Sequence, residues 1–216
     1  MIDLFDYLQN NDYPGRGILV GNRDKQKLIA YFIMGRSDNS RNRIFLKKED
    51  ILYTKAFDET KIKDPSLIIY NAIRDFKDQT IITNGNQTDT IYDFLRENKS
   101  FEQALETREY EPDAPNFTPR ISAIMNEESY QIAILKKKDE SCERLFYSYE
   151  QRMNIAHFIS TYNHNDDPLP SFSKAPLEVK IEDDFDLFAE CEHILAVLIF
   201  FVKFGYVGYI RQIQRL

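Results

Sequence analysis

The sequence predicts an α+β fold of antiparallel sheets covered by helices, and three observations carry that expectation. Apolar and β-branched runs come in pairs separated by short polar turns, as hairpins do. Helical segments are grouped in mid-chain instead of alternating one for one with strands, which argues against a doubly wound parallel sheet. The chain has 216 residues, 43% hydrophobic and 13% aromatic with no Trp, so Tyr and Phe supply the bulk of one globular core. We expect a single domain over residues 1–216, with the tail from about residue 183 unassigned.

The elements follow in order. Gly15-Arg16-Gly17 opens the apolar run Ile18-Leu19-Val20, which ends at Gly21. Lys27 to Met34 is a second strand, paired with the first through a loop of about five residues. Gly35 to Asn42 is polar and reads as a loop. Tyr70–Phe76 and Thr80–Thr83 form another hairpin, and Asn84-Gly85 breaks its second strand. Thr88-Asp89-Thr90 offers caps for a helix beginning near Ile91, and Ser100 caps a second helix through Phe101, Ala104 and Leu105. Three prolines make residues 109–119 an irregular connection. Arg120–Met125, Tyr130–Leu135, Leu145–Tyr149 and His157–Tyr162 read as strands. The charged run Lys136–Glu140 reads as a solvated turn, and Asp166–Pro170 as the one linker-like stretch. Ile194–Val202 is apolar but is broken by Lys203, well short of the roughly 20 residues that span a bilayer, so it reads as a buried helix or strand.

Charge and composition exclude several classes. The formal net charge is −7 and the pI about 5.1, which argues against a nucleic-acid binder but not against a pocket with a local arginine cluster. Cys142 and Cys191 with His157, His164 and His193 carry no metal spacing, so we expect no metal site and reduced thiols in a cytoplasmic protein. The opening Met1-Ile2-Asp3-Leu4-Phe5-Asp6 is acidic and unlike a secretory peptide.

Three segments have chemical potential. Gly35 to Arg43 holds three arginines, Arg36, Arg41 and Arg43, in its last eight residues. Guanidinium forks bind phosphate or carboxylate, although a solvated basic loop has the same composition. Thr83–Thr90 joins a strand end, a glycine and a helix start, which exposes backbone N–H groups to an anion. It matches neither the P-loop nor the dinucleotide fingerprint, and an ordinary capped turn looks the same. In Tyr110–Arg120 the prolines restrict the backbone around Glu111 and Asp113. A fixed, partly desolvated carboxylate there is a general acid or base; an exposed loop acid is the plain alternative. Tyr13-Pro14-Gly15-Arg16-Gly17 is explained by a turn before a strand.

The order and wording of these segments together resemble the archaeal-type IMP cyclohydrolase family. The blocks are Tyr13–Gly17, Gly35-Arg36-Ser37 with Asn42-Arg43, Tyr70–Arg74, Thr83-Asn84-Gly85 with Thr88-Asp89-Thr90, and Tyr110-Glu111 with Thr118–Ile121. They cover residues 13 to 126; Phe158–Tyr162 and Pro168–Phe172 are similar to longer bacterial-type relatives. From about Asp183 no family feature stands out. The apolar Ile194–Ile210 suits a core helix, a contact in a homo-oligomer, or a tail read in an altered frame.

The resemblance implies a four-layer αββα sandwich of the N-terminal nucleophile hydrolase type, without that class's nucleophile, since the chain begins Met1-Ile2. It implies cyclisation of 5-formamidoimidazole-4-carboxamide ribotide to IMP with loss of water, and no cofactor. By position, Glu111 would be the acid/base, Arg43 would polarise the reacting groups, and Tyr70 would donate a hydrogen bond. Arg36, Asn71, Asn84, Asp89 and Arg120 would contact base, ribose or phosphate. One extra residue between Arg36 and Arg43 leaves Arg41 competing with Arg43. The rivals are a non-catalytic purine-nucleotide binder and a hydrolase of another amide.

Overall fold

In the computed structural model, which describes residues 1–62, 65, 68–182, 197–204 and 207–212, the run after Gly15 forms β1 (Arg16–Arg23) and the next forms β2 (Gln26–Met34). They pair antiparallel from Arg16↔Ile33 to Arg23↔Gln26. The connection is shorter than expected: only Asp24 and Lys25, with φ of 50° and 64°. Two successive positive φ values give the turn whose twist matches the strands it joins.

β1 and β2 sit in a six-stranded sheet of order β11-β10-β1-β2-β12-β13, made with β10 (Ile155–Ser160), β11 (Leu177–Lys180), β12 (Val197–Phe204) and β13 (Val207–Gln212). The apolar tail is therefore strand where it is described, paired to β2 through β12. Residues 194–196, Cys191 and His193 lie outside the described residues. The second sheet is a seven-stranded meander in chain order: β3 (Ile44–Lys48), β4 (Ile51–Lys55), β5 (Asn71–Phe76), β6 (Gln79–Thr83), β7 (Arg120–Met125), β8 (Ser129–Lys138) and β9 (Ser141–Glu150). The helices are α1 (Leu4–Gln9), α2 (Asp38–Arg41), α3 (Gln87–Arg96) and α4 (Phe101–Glu106).

Period-two alternation sorts the apolar residues into three layers of contact. Ile18, Val20, Ile29, Tyr31 and Ile33 from the first sheet meet Phe45, Ile82, Ile121, Ala123 and Ile132 from the second. The alternate positions Leu19, Leu28, Ala30 and Phe32 face outward under Leu4 and Leu8 of α1. On the far side Ile81, Ile124, Ala133 and Leu135 face Ile91 of α3 and Phe101, Ala104 and Leu105 of α4. Three interlayer cores mean four layers, helix–sheet–sheet–helix, as the fold class expected requires.

Other expectations need adjustment. α3 begins at Gln87, not near Ile91, and its N-cap Asn86 makes no side-chain cap bond. Thr88 hydroxyl instead bonds Thr83 Oγ1 at 2.7 Å, so the residues expected to cap lie inside the first turn. α4 keeps the expected Ser100 cap, in a capping box closed by Gln103. Lys136, Lys137 and Lys138 are part of β8, not a loop, because Glu143 on β9 pairs with Lys136 at 3.5 Å and Lys138 at 2.5 Å. Residues 166–170 are no linker: Leu169 is buried and its N–H donates to Asn116 Oδ1 at 3.1 Å. Among the described residues no helix is long and apolar enough to cross a membrane.

Candidate active site

At one end of the inter-sheet layer the apolar pattern gives way to arginine and tyrosine. Arg16 continues the inward register of Ile18 and Val20, and Tyr31 lies in the same core from β2. From the facing sheet, Arg43 precedes β3 in the inward register of Phe45, and Tyr70 precedes β5. The phenols of Tyr31 and Tyr70 share a hydrogen bond of 2.7 Å across the layer. Arg16 and Arg43 are 8% and 5% exposed, so two cations sit beneath the surface. Arg16 Nε, Arg43 Nε and Arg43 Nη1 are buried without a hydrogen-bond partner. Unmade bonds at buried charged donors are costly, and a catalytic role, an ordered water or a bound ion is the usual account of them.

The loop from 107 to 119 brings in the carboxylate. Glu111 N–H donates to Thr118 O at 2.9 Å, closing the loop on itself. Asp113 accepts from Thr118 N–H at 2.6 Å and from its hydroxyl, and Thr118 Oγ1 meets Tyr162 Oη at 2.6 Å, tying the loop to the first sheet. Glu111 is left 3% exposed, facing Arg120, whose Nη1 lies 3.8 Å from its Oε1. Arg120 is itself held by Glu109 O at 2.8 Å and Gln87 Oε1 at 2.8 Å. Gly85 makes room for this: a Cβ there would lie 2.5 Å from Arg120 Nη1 and 3.3 Å from Glu111 Oε1.

The remaining expected residues sort by position. Asn84 is engaged internally: its Nδ2 donates to Pro119 O at 2.9 Å, and its Oδ1 accepts from Gln87 at 3.0 Å and Ile121 N–H at 2.9 Å. One Nδ2 hydrogen has no hydrogen-bond partner among the described residues. Arg36 is exposed at the rim, 5.9 Å above the ring of Tyr13, which stacks on Tyr162. Arg41 is exposed and donates to Gly35 O at 3.0 Å, so only Arg43 of that competing pair is inside. Asn71 and Asp89 form a separate group. Asn71 donates to Asp89 at 2.8 Å, and Arg74 pairs with the same oxygen at 2.9 Å, on the side of β5 covered by α3. Sequence reasoning passed over Arg16, Tyr31 and Gln87. The available signal was an arginine in the inward register of an apolar strand.

Charge explains what the arrangement can do. Burial raises the Glu111 pKa above the ordinary carboxylate value; Arg16 and Arg120 oppose that, and Asp113 adds to it. Burial lowers the Arg43 pKa, and so does the neighbouring Arg16 charge. Burial opposes the charge on Arg16 too, but Glu111 and the surrounding tyrosines outweigh it. Burial also lifts the Tyr162 phenol to about 12, so it stays a donor at neutral pH. Three arginines around one buried carboxylate leave an excess of positive charge, which calls for an anionic ligand. A carboxyl group with a raised pKa beside such donors can move protons on that ligand.

A family profile described as IMP cyclohydrolase-like protein matches residues 13–203. The chain belongs to the IMP cyclohydrolase-like family. Every polar group just described lies within that span, which also runs into β12, past the point where family features had seemed to stop. The IMP cyclohydrolase of Methanosphaera stadtmanae is 30% identical over 160 residues, covering 71% of this chain and 75% of that protein. Those of Methanococcus maripaludis and Methanococcus aeolicus are each 26% identical over 155 residues, covering 69% of this chain and 74% of theirs.

Proposed function

We propose that this member of the family converts 5-formamidoimidazole-4-carboxamide ribotide to IMP and water, with Glu111 as the proton shuttle. The single observation behind this reading is the buried Glu111 carboxylate set among Arg16, Arg43 and Arg120 beside the Tyr31–Tyr70 pair. The carboxamide nitrogen attacks the formyl carbon, a C–N bond forms, and the carbonyl electron pair moves to oxygen. Glu111 takes a proton from the attacking nitrogen and delivers it to that oxygen. The resulting hydroxyl leaves as water with the proton of the formamido nitrogen, and a C=N bond closes the ring. Attack within one molecule needs little beyond orientation and charge stabilisation, which rigid buried groups supply.

Arg43 polarises the formyl oxygen and Tyr70 donates to the reacting amide, its own orientation set by Tyr31. Arg120, the free N–H of Asn84 and the rim guanidinium of Arg36 serve the base, ribose and phosphate. Asn71 and Asp89 enter this reading by seating α3 on β5. The thiol Cys142 is unpaired and nothing in the reaction needs an oxidising setting, in keeping with a cytoplasmic location.

The test is turnover of the formamido ribotide by purified protein, followed by the growth of IMP absorbance. We expect activity in the wild type and a loss of about 10²–10⁴-fold in Glu111→Gln. Binding of IMP, measured by calorimetry, should survive in that variant. Tight IMP binding without turnover in the wild type would select the nucleotide-binding rival instead.

A further inference from the structure

We propose that Arg16 is a further catalytic residue: with Arg43 it forms a two-guanidinium hole for the anionic oxygen that develops on the substrate as the ring closes. The inference rests on the cyclohydrolase reading and gives it a residue that the family's matching blocks alone do not single out.

Its first support is placement. Arg16 is the first residue of β1, and its backbone is held on both sides of the strand. Arg16 N–H donates to Thr161 Oγ1 at 3.1 Å, its carbonyl accepts from Thr161 N–H at 2.9 Å, and it pairs with Ile33 of β2. Gly15 just before it has φ of +77°, and a Cβ there would lie 2.3 Å from Thr161 Oγ1. The chain therefore enters β1 along a route open only to glycine, which delivers Arg16 to the end of the inter-sheet layer.

The second support is unused hydrogen-bonding capacity. Arg16 Nε, Arg43 Nε and Arg43 Nη1 are three buried N–H donors with no partner, on two cations that disfavour each other's charge. Arg16 has no ion pair within 4.0 Å among the described residues, although Glu111 is its strongest favourable charge partner. Glu111 makes its ion pair with Arg120. Among the described residues the carboxylate thus makes no direct ion pair with either of these two guanidinium groups, and an oxygen placed between them would meet donors on one side and the proton shuttle on the other.

The nature of that oxygen follows from the same arrangement. A phosphate dianion lodged there would be repelled by the Glu111 carboxylate. An alkoxide formed from the formyl group accepts the proton that Glu111 has just taken from the attacking nitrogen, so its charge is transient and its neighbours suit both states. Donors already in place where charge appears are the main way that enzymes lower such barriers.

Kinetics of Arg16→Met and Arg16→Lys, each with a pH profile and with calorimetric binding of IMP and inosine, test the idea. Arg16→Met should lower kcat by about 10²–10³-fold, the cost of one oxyanion donor, with KM little changed. Its acidic limb should move to higher pH, because Glu111 loses its strongest neighbouring cation. Arg16→Lys should recover part of kcat and return the limb towards the wild-type position. A raised KM with kcat kept, and IMP binding weakened far more than inosine binding, would reassign Arg16 to the phosphate and overturn the proposal. Unchanged kcat would overturn it as well. If Arg16→Met does not melt as a folded protein, Arg16→Lys decides by the same split between kcat and KM. A wild type without turnover removes the cyclohydrolase reading itself, whereas an active wild type with an indifferent Arg16 removes only this inference.

Discussion

Arg41 and Arg43 stand two residues apart and have opposite fates, and the cause is local. Asn42 between them is clamped: its Nδ2 donates to Asp58 O at 2.8 Å and its Oδ1 accepts from Asp58 N–H at 2.7 Å. That clamp ends α2 and starts β3 in a fixed register, so Arg43 turns in with Phe45 while Arg41 stays in solvent. A buried guanidinium with unpartnered donors is a stability liability in the empty protein, and an apolar side chain of similar length relieves it. Arg43→Met should therefore raise the stability of the ligand-free protein by about 1–4 kcal/mol while abolishing turnover. The urea midpoint and the cyclisation assay together check this. A less stable Arg43→Met would mean that the guanidinium is satisfied in the resting state. Arg41→Lys should change neither quantity, since Arg41 is exposed and gives a single side-chain bond to a backbone carbonyl.

At the scale of elements, what the sequence revealed depended on how one-sided each element is. β7 is buried along its whole length and was legible residue for residue, as was the Ser100 cap of α4. The β3–β4 hairpin was invisible because it is half-exposed and carries Lys47, Lys48, Glu49 and Asp50 across its turn, which masks the period of two. Helix α1 offers only Leu4 and Leu8 as buried residues, too few to show a helical repeat. Of the residues that the structure gathers at the candidate site, Glu111, Arg43 and Tyr70 were picked out by the wording of their blocks, and Arg16 was passed over because Gly15 and Gly17 made its segment look like a plain turn. The Asn84-Gly85 turn reads in the sequence as a candidate ligand loop, and the Asn84 side chain also clamps β6, α3 and the start of β7 together. Gly85→Ala tests the clamp. Its Cβ would sit 2.5 Å from Arg120 Nη1 and 2.7 Å from Gln87 Oε1, so the Arg120–Gln87 bond must break or shift. Loss of that buried bond should cost about 1–3 kcal/mol of stability and displace Arg120 from Glu111, lowering kcat. A fully active and equally stable Gly85→Ala would show that the network yields freely.

The two sheets of the whole molecule are joined at a second polar point away from Glu111, and it makes a pH dependence of its own. His157 of β10 accepts or donates at Nδ1 to Tyr130 Oη of β8 at 2.7 Å and stacks on Tyr149 of β9 at 3.7 Å. Its Nε2 lies 3.9 Å from Glu178 of β11, which is held by Arg152. The ring is 5% exposed, and burial lowers its pKa to about 4; Glu178 opposes the shift and Arg152 adds to it. A base whose folded pKa is depressed stabilises the fold above its unfolded pKa, near 6.5, and that contribution is lost as pH falls towards about 4. Glu111 acts in the opposite sense. Its raised pKa means that ionisation weakens the fold as pH rises through its titration, so it favours mild acid. The net slope of the wild type mixes the two, and single substitutions separate them. His157→Gln keeps a partner for Tyr130 but cannot titrate, so it should flatten the fall in stability between pH 6.5 and 4, which amounts to about 2–3 kcal/mol for a shift of that size. Glu111→Gln should instead leave that fall in place and steepen it, since the opposing group is gone. Denaturant melts of the three proteins across this range measure both slopes. A His157→Gln protein as acid-sensitive as the wild type would show that the inter-sheet histidine already carries its proton in the folded state.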